Sequence, residues 1–205
     1  MLIGPGARRC GFTLIELLVT ISVFAFLMLL AAPSFTSWLQ DAQVRTAAES
    51  LGNGLRVAQA EAARRHRQVA VVLTNGAPAP GATAQANGKN WLVMVIPNPA
   101  AGELYTNSNF MATAMVQSGA LGAVAPNAQI TGQAAVCFSS LGRLTTLNDG
   151  TYNCTIPPTG TVTYAVTNSR FATARALNVT VGLGGSIRVC DPSKSLSQGS
   201  PDACS

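Results

Sequence analysis

One histidine, His66, is all that 205 residues provide, which removes most imidazole-based catalysis and most zinc chemistry from consideration. Charge is scarce as well: Asp, Glu, Lys and Arg make up 10% of the chain, far under the ~25% of an average soluble protein. That scarcity argues against a cytosolic housekeeping enzyme and excludes a polyelectrolyte-like disordered chain. The balance of 13 Lys+Arg against 8 Asp+Glu, formally +5, is too mild to nominate nucleic acid by itself. The five cysteines include no C-x-x-C pair, and nothing repeats at a fixed period.

What the chain has is apolar residues, 48% of the total, enough for a sizeable core. They are unevenly spread. Phe12 to Ala32 reads FTLIELLVTISVFAFLMLLAA, 21 residues with Glu16 as the one charge. As a helix this run is ~31 Å long, matching the ~30 Å hydrocarbon layer of a bilayer. It shows no polar face, as a core helix would, so a membrane-spanning helix is predicted. Arg8 and Arg9 precede it, and the next cation is Arg45. The positive-inside rule then places the N-terminus in the cytoplasm and residues 34–205 outside. No small-residue cleavage site follows Ala32, so the apolar run reads as retained rather than cleaved as a signal peptide.

Arg8-Arg9-Cys10-Gly11 followed by Phe12-Thr13-Leu14-Ile15-Glu16 resembles the processing signature of type IV prepilins and type II secretion pseudopilins. The resemblance implies that a prepilin peptidase cuts after Gly11 and methylates the new N-terminal Phe12. It makes Glu16 the fifth mature residue, the position where the family carries a Glu, and matches Pro33 to the family's helix proline. Glu16 and Pro33 are therefore expected in filament assembly. On physical grounds a carboxylate one turn into a bilayer needs a partner or a proton. The freed amine of Phe12, in the same chain or a neighbour, supplies the partner; a Glu close enough to the interface to reach water is the alternative.

Past Pro33, Phe35, Trp38, Leu39, Ala48, Leu51, Leu55, Ala58 and Ala62 recur at spacings of three and four, one apolar face of an amphipathic helix. Helix is expected from Phe12 to about Arg67, kinked at Pro33, with bending at Gly52 and Gly54, each of which costs ~1 kcal/mol of helix propensity. The run Leu55 to Arg65, the strand after it, and Phe138-Ser139-Ser140-Leu141-Gly142-Arg143 resemble the GspH/FimT family of FimU-like minor pilins.

From residue 69 the period changes to that of strands. Val69–Thr74, Trp91–Ile96, Gln129–Ser139 and Thr161–Thr167 read as strands, and Ala174–Val181 with Ser186–Cys190 as a hairpin around Gly182-Leu183-Gly184-Gly185. Residues 75–90, 98–102 and 121–127 read as breaks. The fold class is α+β: a type IV pilin-like long helix on an antiparallel sheet. Four segments are expected: a leader at 1–11, a transmembrane and filament-core helix at 12–33, an amphipathic helix at 34–68, and a β-rich periplasmic head at 69–205.

With Cys10 lost in the leader, Cys137, Cys154, Cys190 and Cys204 remain. Outside the cytoplasm an even number suggests two disulfides with three connectivities. Cys137–Cys154 and Cys190–Cys204 are favoured, because each closes a local loop and alternation turns Cys137 and Cys190 away from the core side of their strands. Such a loop is worth ~3 kcal/mol in the chain-entropy model. Metal binding by the four is disfavoured by spacing, and no cofactor is expected.

Catalysis finds little support. His66, in Arg64-Arg65-His66-Arg67, reads as a solvated helix end where cations meet the dipole. Asp149 reads as a turn, and the glycine cluster at 182–185 as a hairpin turn rather than a phosphate loop. The resemblance implies a low-abundance pilus subunit that primes assembly with other minor and major pilins. An alternative is a FimT-like DNA-binding subunit for natural transformation, using a C-terminal Gly-Arg-x-Arg element. The matching stretch is Gly185-Ser186-Ile187-Arg188, with Ser186 in place of the first Arg. Arg170, Arg175, Arg188 and Lys194 are its candidate phosphate contacts, or else members of an ordinary wet sheet face. A third reading is a type II secretion pseudopilin whose head meets exported proteins. All three put the subunit in the inner membrane first, then in a pilus or pseudopilus.

Overall fold

A computed structural model of the chain describes residues 12–204. The expectations on Arg8, Arg9, Cys10 and Gly11 lie outside the described residues. The chain separates into two compact units, with the boundary between Trp38 and Leu39.

Helix α1, Leu14–Arg65, is 52 residues long and is assigned without interruption through Pro33, Gly52 and Gly54. Thr13 starts it: its hydroxyl accepts from the Glu16 amide at 3.3 Å, which puts Glu16 at the third helical position of a T-x-x-E capping sequence. A left-handed His66, φ 52°, stops it. There the Arg67 amide donates to the Ala62 carbonyl at 3.1 Å and the His66 amide to the Ala63 carbonyl at 3.4 Å, a Schellman arrangement.

No single helix among the described residues is both long and apolar enough to cross a membrane; Leu14–Leu30 and Ser34–Arg65 qualify together, as a broken span. The sequence reading had one helix crossing from Phe12 to Ala32. The structure starts regular helix two residues later, at Leu14, and bends it by 46° between Leu30 and Ser34, where a kink at Pro33 was expected.

In the second unit, Val44, Ala47, Ala48, Leu51, Leu55, Ala58 and Ala62 are buried. The expected face also included Phe35, Trp38 and Leu39, but all three are exposed, so the buried stripe begins at Val44. Gly52 and Gly54 lie on it. A Cβ on Gly54 would stand 2.5 Å from the Trp91 ring, and one on Gly52 would stand 3.3 Å from the Val189 Cγ2. These glycines admit bulky sheet residues against the helix; close packing, rather than bending, accounts for them.

The remaining elements are β1 (Val69–Thr74), β2 (Asn90–Val95), α2 (Ser108–Ala114), β3 (Met115–Ala120), α3 (Leu121–Val124), β4 (Ala128–Thr131), β5 (Ala135–Phe138), β6 (Leu144–Thr145), β7 (Leu147–Asn148), β8 (Asn153–Cys154), β9 (Thr161–Asn168), β10 (Leu177–Gly182) and β11 (Ile187–Cys190). They form a five-stranded sheet in the order β3-β2-β1-β5-β6, a four-stranded sheet β11-β10-β9-β4, and the small hairpin β7-β8. All these pairings are antiparallel.

Gln129–Ser139, expected as one strand, is therefore two strands in different sheets. The switch occurs at Gly132, where a Cβ would overlap the Tyr164 ring, so only glycine lets the chain pass Tyr164 and cross over. The break expected at 121–127 contains the helical turn α3. Residues 98–102 hold a 3-10 turn over Pro99–Ala101, capped by the Asn98 side chain.

Both sheets contribute to one core around the second half of α1, with Val71, Trp91, Val93, Val136 and Phe138 from the first and Ile130, Val162, Tyr164, Val179 and Val181 from the second. The opposite face of the five-stranded sheet is not wet. Ala70, Val72, Leu92, Met94, Cys137 and Tyr152 form a second apolar cluster there, covered in part by Tyr105, Phe110 and Met111.

Candidate functional site

Three places in the chain carry side chains whose arrangement goes beyond core packing. The first is the start of α1. Phe12, Leu14, Ile15, Leu17, Leu18, Val19, Ile21, Val23, Phe24, Phe26, Leu27, Met28, Leu29 and Leu30 are all more than half exposed. A helix apolar on every side has no folded partner of its own and must be covered by lipid or by other helices. Its hydroxyls are satisfied internally: Thr20 donates to the Leu17 carbonyl at 2.9 Å and Ser22 to the Leu18 carbonyl at 2.7 Å. Glu16 is exposed in the first turn, where the positive end of the helix dipole favours a carboxylate. That capping role comes in addition to the pairing with the Phe12 amine expected from sequence. Pro33 lies within the helix.

The second place is the C-terminal segment of the head. Cys190 at the end of β11 is bonded to Cys204, and Cys137 of β5 to Cys154 of β8. The Asp191 amide donates to the Asp202 carbonyl at 2.7 Å, so the returning tail pairs with the end of β11. Arg175 ties this tail to the helix. Its amide donates to Asp41 Oδ1 at 2.8 Å, its Nε to Asp191 Oδ2, and its Nη2 to Asp202 Oδ2 at 2.9 Å. Lys194 Nζ completes the group, 2.6 Å from Asp202 Oδ2. Asp191 is buried, and its carboxyl is held below the usual range first by the Ser193 hydroxyl and then by the Ser193 amide and Arg175. Asp202 is lowered chiefly by Lys194.

Of the four basic residues singled out from sequence, Arg175 and Lys194 are thus joined to each other through Asp202, their charge met by carboxylates. Arg170 and Arg188 are exposed and make no side-chain hydrogen bond or ion pair among the described residues. Arg188 sits on β11 opposite Thr180. The sequence offered no signal for the ion pairs, because Arg175 is 16 residues from Asp191 and 27 from Asp202.

The third place is where two turns meet near the end of α1. Ser139 to Gly142 is the tight turn between β5 and β6, closed by the Gly142 amide on the Ser139 carbonyl at 2.8 Å. Gln59 Nε2 donates to the Gly142 carbonyl at 2.9 Å. Gly185 of the β10–β11 turn, φ 91°, comes so close that a Cβ there would overlap both the Gly142 carbonyl and Gln59 Nε2. The Leu144 amide bonds the Leu183 carbonyl at 3.1 Å. The glycine cluster is a hairpin turn that must approach a second turn.

Catalytic geometry does not assemble around the other singled-out residues. The His66 ring makes no hydrogen bond among the described residues, although it shares a shallow depression with Arg67, Pro97, Asn98 and Ser140. Arg67 in that depression is held by Glu103 at 2.6 Å and by the Ile96 carbonyl at 2.7 Å. Asp149 builds a turn, accepting from the Thr151 and Tyr152 amides at 3.0 and 2.8 Å and from the Tyr105 hydroxyl at 2.6 Å. Burial pushes the Tyr152 phenol up to about 12. Among the described residues no group of three or more His, Cys, Asp or Glu is placed to hold a metal ion.

Two family models match the chain: a prokaryotic N-terminal methylation motif over residues 6–32, and the type II transport protein GspH over residues 47–196. No curated protein sequence matches it. Among solved structures, the fold is similar to the type IV minor pilin FimU of Pseudomonas aeruginosa in two crystal forms. The P21 form is 19% identical with a TM-score of 0.50, covering 80% of this chain and 96% of that one. The P65 form is 19% identical with a TM-score of 0.47, covering 78% and 99%.

Proposed function

The chain belongs to the GspH family of type IV minor pilins and pseudopilins, and from that premise we propose that it works as a non-catalytic minor subunit that primes assembly of a type IV pilus. The single observation behind this reading is the exposed apolar surface from Leu14 to Leu30, in which Glu16 is the one charge. A bilayer covers it before assembly, and the like helices of other pilins cover it afterwards. Apolar side chains gain nothing by moving between lipid and helices of equal apolarity, so close packing and the pairing of Glu16 with a neighbour's Phe12 amine have to drive the transfer.

On this reading a prepilin peptidase removes residues 1–11, the N-terminus faces the cytoplasm, and the head stands in the periplasm on the inner membrane. Residues 12–33 act as anchor and filament core, and residues 34–68 as the helical spine of the head. Mass spectrometry of the native protein tests it: the expected chain begins with N-methylated Phe12. A chain that retains Met1, or one that begins after Pro33, refutes it.

A type II secretion pseudopilus accommodates the same anchor and is favoured by the GspH match itself. Deleting the gene separates the two: loss of surface pili supports the first, loss of exported proteins the second. A DNA-binding role retains Arg170 and Arg188 as free cations, and weak, steeply salt-dependent binding would be its signature.

A further inference from the structure

Strand β11 ends its sheet, with β10 as its one strand neighbour. The Gly182 amide bonds the Ser186 carbonyl at 2.9 Å, so Ser186, and with it Arg188 and Cys190, direct their backbone groups toward β10. Direction alternates along a strand, and the groups of Ile187, Val189 and Asp191 therefore turn to the outer edge. At Asp191 that edge is taken: its amide donates to the Asp202 carbonyl at 2.7 Å, beside a parallel bridge from Asp191 to Ala203. The returning tail thus adds to the sheet at one point. The amides and carbonyls of Ile187 and Val189, on the same edge, have no such partner among the described residues.

The charge around this edge is of one sign. Within the head, Arg45, Arg64, Arg65, Arg67 and Arg175 bond carboxylates. Arg56, Arg143, Arg170 and Arg188 bond none among the described residues, and all but Arg170 border β11. Arg188 stands on it, on the face away from the core. Arg56 Nη1 lies 3.6 Å from the point where a Gly52 Cβ would stand, itself 3.3 Å from Val189 Cγ2. Its bond is to the Asn53 side-chain oxygen, at 3.0 Å. Arg143 follows Gly142, whose carbonyl meets the Gly185 turn that leads into β11. The carboxylates of the head are all bonded elsewhere, so these three guanidiniums are open to an anion from outside.

We propose that the free edge of β11 docks an acidic, extended segment of a partner protein, which adds to the sheet beside Ile187 and Val189. Main-chain bonds to the outward amides and carbonyls give affinity, and the guanidiniums select carboxylate side chains. Side chains of an added strand alternate between the face of Arg188 and the face of α1, where Arg56 lies. A carboxylate therefore meets a guanidinium on either face. A second copy of β11 is excluded by the same charge, since pairing would bring two Arg188 side chains together. A nucleic acid fits less well, because its phosphodiesters only accept hydrogen bonds and would leave the Ile187 and Val189 carbonyls unpaired.

The test uses the full chain in detergent with a fluorescent peptide that alternates glutamate and threonine over about eight residues. Anisotropy reads binding, and deuterium uptake reads the Ile187 and Val189 amides, which are expected to exchange more slowly in the complex. The same peptide with every amide N-methylated keeps its charge and should bind at least about tenfold more weakly. Lysine in place of glutamate should abolish binding. R56A and R143A, both at exposed positions, should each weaken it about threefold, and R170A should leave it unchanged. Equal binding of the methylated peptide, or unchanged exchange at Ile187 and Val189, reduces the edge to a charged patch and overturns strand addition. A DNA duplex that binds through these arginines while the peptide does not assigns them to nucleic acid and overturns it as well. Unchanged affinity in R56A and R143A, or an equal loss in R170A, refutes selection by these guanidiniums, and absence of any peptide binding refutes the whole proposal.

Discussion

Replacing Gly54 by Ala tests the packing account of α1 against the expectation that glycine merely weakens a helix. By propensity the change should stabilise, since Ala is favoured over Gly by ~1 kcal/mol in a helix interior. The structure opposes it. The new methyl would stand 2.5–2.9 Å from three ring atoms of Trp91, a side chain 2% exposed. The indole has little room to move, because Gly119 of β3 lies so close to its Nε1, Cε2 and Cζ2 atoms that a Cβ there would overlap it too. Displacing the ring would also break its bond from Nε1 to Ser50 Oγ, 3.3 Å long. Overpacking costs ~1–3 kcal/mol and a lost hydrogen bond about 1 kcal/mol, so after the propensity gain the net loss is about 2 kcal/mol. For a head of this size that lowers Tm by roughly 4–8 °C.

Gly52→Ala is the internal control. Its Cβ meets one methyl of Val189 at 3.3 Å, a contact that a small shift relieves, so its stability should stay within about 1 kcal/mol of the parent. Thermal unfolding followed by near-ultraviolet circular dichroism of the full chain in detergent reads both. If G54A proves as stable as the parent, or more stable than G52A, the glycines are not packing devices and the reasoning is wrong.

Glu16→Val should leave membrane insertion intact and abolish incorporation into filaments, read by immunoblotting of sheared pili or pseudopili; normal incorporation would remove Glu16 from assembly. Asp191 has a folded-state pKa lowered below its ordinary value, so its contribution is fully present above about pH 4 and is lost as the pH falls through the folded value. Denaturant midpoints should accordingly fall below about pH 4, and D191N should start about 1–3 kcal/mol lower and flatten that slope. Replacing Cys190 and Cys204 together by Ser should cost about 3 kcal/mol and open the tail to trypsin at Lys194; an unchanged digestion pattern would mean that the ion pairs of Arg175 and Lys194 hold the tail alone.

Much of this architecture was legible because a few residues alternate between two solvents. Val69–Thr74 and the β10–β11 hairpin could be read as strands, since Val179 and Val181 face the core while Asn178 and Thr180 do not. Parity also placed Cys137 on the opposite side of β5 from Val136 and Phe138, and the bond to Cys154 lies on that side. What parity could not convey is that this side is itself apolar, because its cover comes from Tyr105, Phe110 and Met111, distant in sequence. Strand β3 escaped notice for a related reason. As an edge strand with mixed exposure it lacks the alternation a half-buried strand needs. The basic C-terminal residues read as a patch, yet Arg175 and Lys194 are committed to carboxylates, which only the return of the tail brings near.

The two stretches that carry the family likeness in the head turn out to be halves of one contact. In Phe138 to Arg143, Phe138 and Leu144 form the last pair of β5 and β6, and Gly142, φ 71°, lets the turn close. In Gly185 to Arg188, the glycine supplies the close approach to the Gly142 carbonyl. Gln59 joins them from α1, inside the Leu55–Arg65 run that is the third element of the likeness. Helix, first sheet and second sheet meet at these three residues. A substitution at Gly185 would strain the φ > 0 turn and drive a side chain into the carbonyl that Gln59 must reach. Gly185 therefore has a complete structural reason to be glycine.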